Sequence, residues 1–345
     1  MAKNKDAFVI KNILVLGGAG FIGSHLCDKL VQNNKVICID SFISGRRENI
    51  DHLLQNENFI FINEDVNNLT DLEKYKEVER FQVKFQGIQE IYNLACPTSP
   101  KDFTKQAIIT AQTNSLGTMR ALDLAVKYKA KLLHFSSSVV YGSRQDDDPL
   151  MSENKYYPLS PLTPRACYDE GKRFAESLIY TYRQFYGLDA KILRFFTTYG
   201  PRMPLFEGHM IPDFIVAALD NQPLIIYGDE NFTNTLCYIT DVIDACFKMM
   251  ASTEAGPFNI GSPEEYKISD IAKKIIKMTN SKSEIQYADP LLFMSRLGLP
   301  DIRLAKEKLL WFPITLLDKG LAETIEYSKA NKVIIDWSKV GEIKD

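Results

Sequence analysis

Tyr168 and Lys172 stand four residues apart in the run Arg165-Ala166-Cys167-Tyr168-Asp169-Glu170-Gly171-Lys172, a spacing that puts both on one face of a helix. A free phenol titrates at about pKa 10, so it can act as a base at neutral pH only beside cations. The Lys172 ammonium and an oxidised nicotinamide would supply them. Ser137, in Ser136-Ser137-Ser138 at the end of an apolar run, would hydrogen-bond the same substrate oxygen. Such a set removes a hydroxyl proton while hydride leaves the same carbon, with Ser137, Tyr168 and Lys172 as the catalytic residues.

The hydride acceptor is signalled far upstream by Gly17-Gly18-Ala19-Gly20-Phe21-Ile22-Gly23. This loop follows a predicted strand and opens a predicted helix, the setting of a dinucleotide fingerprint. Gly17 and Gly20 would let the backbone approach a pyrophosphate. Phe21 and Ile22 begin the helix whose N-terminus would receive it, and Gly23 would permit close packing of helix on strand. Asp40, at the end of the next strand, would accept the ribose hydroxyls and repel a 2′-phosphate, which favours NAD; nearby Arg46 and Arg47 are the features that would favour NADP instead. Ser44, Gly45, Leu94 and Ala95, together with Tyr168 and Lys172, are further expected cofactor contacts, with Asp65 and Val66 against the adenine.

These residues need a scaffold that gathers strand ends along one edge. Six short apolar or β-branched runs, Asn12 to Leu16, Lys35 to Asp40, Phe59 to Asn63, Glu90 to Ala95, Lys131 to Ser136 and Lys191 to Phe196, alternate with helical patterns after Gly20, from Thr113 to Tyr128 and from Tyr168 to Phe185. The predicted fold is α/β, a doubly wound parallel (Rossmann) sheet with a smaller mixed α/β C-terminal lobe. The pattern turns irregular and proline-rich after Phe196, and Phe258-Asn259-Ile260-Gly261 reads as a return to the sheet. The expected division is therefore 11–196 with 236–262 for the cofactor, 197–235 and 263–330 for the substrate, and a tail, 331–345, without a readable motif.

Together these motifs resemble the extended short-chain dehydrogenase/reductases known as the NAD-dependent epimerase/dehydratase family, over about residues 12–330. Within it the chain is most similar in pattern to the UDP-glucuronate decarboxylases (UDP-xylose synthases), through Asn93 to Pro100, Thr113-Asn114 with Gly117-Thr118, Arg165 to Arg173, and Thr198 to Met203. The resemblance implies NAD, a nucleotide-sugar substrate (a UDP-sugar), oxidation of the sugar C4 hydroxyl to a 4-ketone, and a homodimer built on the helices from Gly117 and Tyr168. It implies that Asn114 ties a helix turn to the active-site backbone on the cofactor side. The substrate would be met by Pro97, Ser138, Val139, Thr197, Arg202, Asn234 and Arg296.

Three of these positions depart from the decarboxylase pattern. Val139 stands where a glutamate is usual, Thr197 for an asparagine and Asn234 for an arginine, and Gly298-Leu299 replaces a basic pair. A missing arginine removes a charge-assisted contact of about 1.5–3 kcal/mol. The expectation is therefore a UDP-sugar epimerase first, with UDP-glucuronate decarboxylation to UDP-xylose or a 4-keto pentose, and a non-catalytic NAD-binding regulator, as alternatives.

Composition bounds the setting. The 345 residues are 45% hydrophobic and 25% charged with a net charge of −3, a globular balance with no basic patch for nucleic acid. No run approaches the roughly 20 apolar residues of a membrane span, so a cytoplasmic protein is expected. Six cysteines without ligand spacing predict reduced thiols and no metal site. Cys167 reads as packing, and the scattered His25, His52, His134 and His209 carry no expected catalytic role.

Overall fold

The computed structural model describes residues 10–99, 102–145, 147–290 and 298–331. Seven strands form one sheet: β1 (Asn12–Leu16), β2 (Lys35–Asp40), β3 (Phe59–Asn63), β4 (Glu90–Asn93), β5 (Lys131–Ser137), β6 (Ala190–Phe195) and β7 (Phe258–Ile260). Their spatial order is β7-β6-β5-β4-β1-β2-β3, and every neighbouring pair is parallel. The order reverses between β1 and β4, and the carboxyl ends of strands at such a reversal flank the crevice in which α/β sheets bind ligands.

A parallel sheet covered on both faces needs strands that are apolar on both sides. β1 is the simplest case, because Ile13 and Val15 enter one core while Leu14 and Leu16 enter the other. Helix α1 (Phe21–Leu30) packs Leu26 and Leu30 into the first core. Helices α2 (Thr118–Tyr128) and α3 (Ala166–Tyr186) pack Leu122, Ala125 and Ile179 into the second. Burying each such side chain contributes about 1.5–3 kcal/mol, so these two layers hold the strand ends in register.

The return segment is present: Phe258, Asn259 and Ile260 pair in parallel with Leu193, Arg194 and Phe195. Strands β5 and β6 and helix α3 shift by one or two residues at their ends, and two further changes bear on the site. Strand β4 stops at Asn93 instead of Ala95, because beyond it the backbone of Ala95 packs directly against Gly17, where a Cβ would lie 2.8 Å from the Ala95 nitrogen. The helix expected from Thr113 begins as a π turn, Thr113–Gly117, between a short helix (Ala107–Gln112) and α2. Such bulges occur often at functional sites. This one brings Asn114 against α3 at Gly171, where an added Cβ would stand 2.9 Å from the Asn114 Cβ.

Candidate active site

The carboxyl ends of β1, β2, β4, β5 and β6 open into a cavity of about 470 Å³. On its sheet side lie Gly17, Gly20, Phe21, Ile22, Gly23, Asp40, Ser44, Gly45, Asp65, Val66, Leu94 and Ala95, which with Tyr168 and Lys172 on the same cavity make up the whole expected cofactor set except Asn114. The fit to a dinucleotide is visible in the backbone. Gly17 has φ +81°, and a Cβ on Gly23 would come within 2.2 Å of the Gly17 carbonyl oxygen, so only glycine lets α1 start this close to β1. The unbonded N–H groups of the first α1 turn therefore face the cavity, a ready anion site.

Asp40 is buried with its carboxylate accepting the N–H groups of Phe42 at 2.8 Å and Ala19 at 2.9 Å. Burial pushes its pKa up, and those two N–H groups oppose the push. A Cβ on Gly45 would collide with this carboxylate at 2.6 Å, which explains the glycine there. The two arginines that would favour NADP are engaged elsewhere, Arg46 with Glu207 at 3.6 Å and Arg47 with Asp51 at 3.0 Å. The Asp40 carboxylate therefore faces the cavity with both of these guanidiniums paired to other carboxylates.

Ser137, Tyr168 and Lys172 line the same cavity. Ser137 ends β5, where its Oγ accepts the Val139 N–H at 3.4 Å. Tyr168 lies in the first turn of α3, and Lys172 follows one turn later with its ammonium donating to the Phe135 carbonyl at 2.9 Å. That ammonium stands 5.8 Å from the centre of the Tyr168 ring. Burial pushes the Tyr168 phenol above its ordinary pKa, Cys96 pushes the same way, and the Ser137 hydroxyl and Arg165 oppose both. Burial lowers the Lys172 pKa, against Cys96 and Glu176. The chain thus holds a phenol that ionises only under further positive charge, and a lysine close enough to respond to it.

Asn114 sits just behind this wall. Its amide donates to the Thr110 carbonyl at 3.0 Å and to the Cys96 sulfur at 3.2 Å, while its Oδ1 is buried without a partner among the described residues.

The opposite side of the cavity is built from distant loops. Pro97, Ser138, Thr197 and Asn234 line it as expected, and the Thr197 hydroxyl donates to the Asn234 Oδ1 at 2.9 Å. Two expected substrate contacts lie elsewhere. Val139 is not among the residues lining the cavity: it is buried against Phe103 and Tyr168, whereas Ser138, equally buried, faces the cavity. Arg202 sits in a left-handed turn (φ 70°) that aims its guanidinium at Asp28 on α1, 2.8 Å away, and it lines a separate cavity of about 230 Å³ with Arg46 and Tyr327. Arg296 lies outside the described residues.

Sequence reasoning missed Cys96, Thr98 and Ser99 on the loop after β4, and Met203, Glu207 and His209 from the loop preceding helix α4 (Met210–Leu219). The first three were within reach, since residues just past a strand's carboxyl end face the crevice. The others carry no local signal. Burial lowers the His209 pKa to about 4, so this imidazole is neutral near pH 7. Lys172 and His209 are the basic side chains among the described lining residues, and neither is an arginine.

No helix among the described residues is long and apolar enough to cross a membrane.

The sequence and fold match known proteins throughout. The chain is 38% identical to UDP-glucuronic acid decarboxylase 1 of Danio rerio over 343 residues, covering 97% of this chain and 78% of that protein. It is 36% identical to UDP-glucuronic acid decarboxylase 3 of Arabidopsis thaliana, covering 90% and 86% of the two chains. Among solved structures, UDP-glucose 4-epimerase of Thermotoga maritima superposes with a TM-score of 0.81 at 29% identity, over 93% of this chain and 99% of that one. UDP-glucuronic acid 4-epimerase of Bacillus cereus, solved with UDP-glucuronic acid and NAD, gives 0.79 at 31% identity over the same shares. Residues 13–261 match the family model described as the NAD dependent epimerase/dehydratase family, and with the nucleotide cradle and the Ser137, Tyr168 and Lys172 group in one cavity, the chain is an NAD-dependent enzyme belonging to that family.

Proposed function

We propose that this enzyme oxidises the C4 hydroxyl of a UDP-sugar and that UDP-glucuronate is its substrate, which it decarboxylates. The observation that carries the reading is the gathering of Ser137, Tyr168 and Lys172 in one cavity with Asp40 and the N-terminus of α1, and the decarboxylase relatives favour this outcome. Residues 11–196 with 236–262 would hold the cofactor, and 197–235 with 263–330 the sugar nucleotide.

NAD, when bound, accepts hydride from the sugar C4. Tyr168 takes the C4 hydroxyl proton, its ionisation favoured by the Lys172 ammonium, while Ser137 donates to the same oxygen. The ketone makes the C6 carboxylate a β-keto acid. The C5–C6 bond breaks, its electron pair passes into an enolate whose oxygen is held by the Tyr168 and Ser137 hydroxyls, carbon dioxide leaves, and a proton from water adds to C5. The hydride then returns to C4 as Tyr168 gives its proton back to the C4 oxygen, leaving UDP-xylose, whereas release before that return would give the 4-keto pentose. The decarboxylase names of the curated relatives support the same outcome.

A second reading, 4-epimerisation, draws on Val139 and Asn234 and on the epimerase relatives of known structure. It requires only that the ketone turn in the cavity and be reduced on its other face. Mass spectrometry of purified enzyme with NAD and UDP-glucuronate separates the two. Loss of carbon dioxide is expected; an isomer of unchanged mass would establish epimerisation, and an unchanged substrate would exclude both for this sugar.

A homodimer is part of the proposal. Ile108, Phe174 and Phe185 are 77%, 48% and 82% exposed on the helical runs 107–128 and 166–186, an apolar face suited to a second copy. Light scattering should give twice the chain mass.

A further inference from the structure

The loop leaving β4 carries Cys96, Pro97, Thr98 and Ser99 into the cavity and then enters a single helical turn, Asp102–Lys105. Phe103 in that turn is 3% exposed and stacks on Tyr168, with ring centres 5.0 Å apart and planes 23° from parallel. The guanidinium carbon of Arg165 lies 5.3 Å from the centre of the Phe103 ring. Arg165 is itself fixed by Asp169, to whose carboxylate its Nε and Nη2 donate at 3.1–3.4 Å. Arg165, Tyr168 and Asp169 thus fall within one turn at the start of α3, and Phe103 is the only one of the four from another element.

We propose that Arg165 and Phe103 are positioning residues for Tyr168: Phe103 fixes the plane of the phenol, and Arg165, pinned by Asp169, holds Phe103 in place and adds positive charge beside the phenol. The inference rests on the reading of Tyr168 as the proton-transfer group. Packing alone gives little reason for the arrangement, since a buried ion pair can usually be replaced by apolar residues of similar volume at no loss of stability. A guanidinium over an aromatic face, by contrast, attracts it and restricts its tilt. Because Cys96, on the loop after β4 that lines the cavity, packs against the same Phe103 and Tyr168 cluster, the stack ties the cavity wall to the catalytic helix.

The groups facing Tyr168 set the direction of the test. Lys172, Arg165, Asp169 and Cys167 come from α3 and its first turn, Ser137 from β5, and Cys96 from the loop after β4. Asp169 and Cys96 raise the phenol pKa, whereas Ser137 and Arg165 lower it. Arg165→Gln removes a lowering influence and leaves the Asp169 carboxylate unpaired, so the limb of the pH–rate profile that reports the base moves to higher pH. A shift of about one unit lowers turnover about tenfold at fixed pH on that limb. Arg165→Gln/Asp169→Asn removes both charges and should bring the limb back toward its original place. Phe103→Leu leaves every charge and should lower kcat several-fold with KM little changed and the limb unmoved.

The measurement is the pH profile of kcat and kcat/KM with UDP-glucuronate, alongside direct titration of the Tyr168 phenol by carbon NMR of ring-labelled tyrosine in the NAD-loaded protein. Tyr168→Phe identifies the resonance. The titration needs no turnover, so it remains readable if UDP-glucuronate is not the substrate; turnover by Tyr168→Phe would instead sink the underlying reading. Arg165→Lys, which keeps the pair with Asp169, stands in if Arg165→Gln does not fold, and should keep the phenol titration in place while lowering kcat. A phenol titration and pH limb unmoved by Arg165→Gln, with only the thermal midpoint reduced, would overturn the proposal and leave Arg165 a purely structural residue.

Discussion

The two sides of the cavity are made in different ways. The cofactor side is assembled from strand ends and the turns that follow them, and all of its expected lining residues but Asn114 lie there. The substrate side is assembled from loops whose members meet only in the fold. Thr197 and Asn234, for example, are joined by a hydrogen bond across 37 residues of sequence. The first side carries backbone N–H groups and the Asp40 carboxylate at fixed places; the second presents hydroxyl, amide and neutral imidazole groups, with Glu207 as its acid. The difference teaches that this fold fixes one side of the cavity by strand ends and glycine turns and leaves the other to loop side chains with little charge; in the proposed reaction, the first sets the site of oxidation and the second the fate of the ketone.

The largest expected effect isolates the chemistry common to both sides. Tyr168→Phe keeps the ring stacked on Phe103 and removes only the hydroxyl, so turnover should fall by about 10²–10⁴-fold, the usual contribution of general acid–base catalysis, while NAD stays bound. Single-turnover reduction of bound NAD, followed by absorbance, checks it; a variant that still reduces NAD at the original rate would remove Tyr168 from the mechanism.

On the substrate side, Asn234→Arg should restore the guanidinium of the decarboxylase pattern. A charge-assisted contact worth about 1.5–3 kcal/mol should lower KM for UDP-glucuronate by about 10–100-fold. Calorimetric titration with UDP and with UDP-glucuronate would show whether the gain belongs to the diphosphate or to the carboxylate. Equal affinities for wild type and variant would mean that the cavity does not offer this position to an anion.

The matching perturbation on the cofactor side acts through shape. Gly23→Ala places a methyl group 2.2 Å from the Gly17 carbonyl oxygen and 2.8 Å from the Gly18 Cα, both backbone atoms that move only if α1 withdraws from β1. About 1–3 kcal/mol of stability should be lost, with NAD affinity falling because the first helical turn leaves its place. Thermal melting with and without NAD measures both; an unshifted midpoint would mean the loop tolerates what its geometry forbids.

Legibility in the sequence follows the same division. Gly17, Gly20, Gly23 and Asp40 were readable because strand, turn and helix fix their relation within about thirty residues, and each residue type has one physical reason to be there. Tyr168 and Lys172 were readable from a single helical spacing. Val139 was misplaced because the turn after β5 decides which of two consecutive residues faces the cavity, and no local pattern records that. Arg202 was misplaced because its left-handed backbone, not its side-chain type, sets its direction. Phe103 could not have been found at all: a phenylalanine gains its role only when the β4 loop folds over α3.

The smallest expected effect concerns His209, the neutral imidazole of the substrate side. Burial lowers its pKa from the ordinary 6.5 to about 4, and His25, its Nε2 3.0 Å from the Pro201 carbonyl oxygen, is likewise lowered to about 4 by burial. Both folded-state values lie below those of the unfolded chain. Between about pH 6.5 and 4 the unfolded chain therefore binds more protons, and the stability these residues contribute is complete above 6.5 and is lost as the pH falls. Urea midpoints measured at about pH 7, 6 and 5 should decline, and His209→Gln should flatten part of that decline while His25 and the buried His134, whose pKa burial also lowers, retain the rest. Saturating UDP sharpens the comparison between the two sides. A diphosphate held near His209 would favour its charged form and raise its pKa, flattening the wild-type slope without altering that of His209→Gln. A slope that responds to NAD but not to UDP would place His209 outside the diphosphate's reach and move the substrate's phosphates toward the helix end of the cavity.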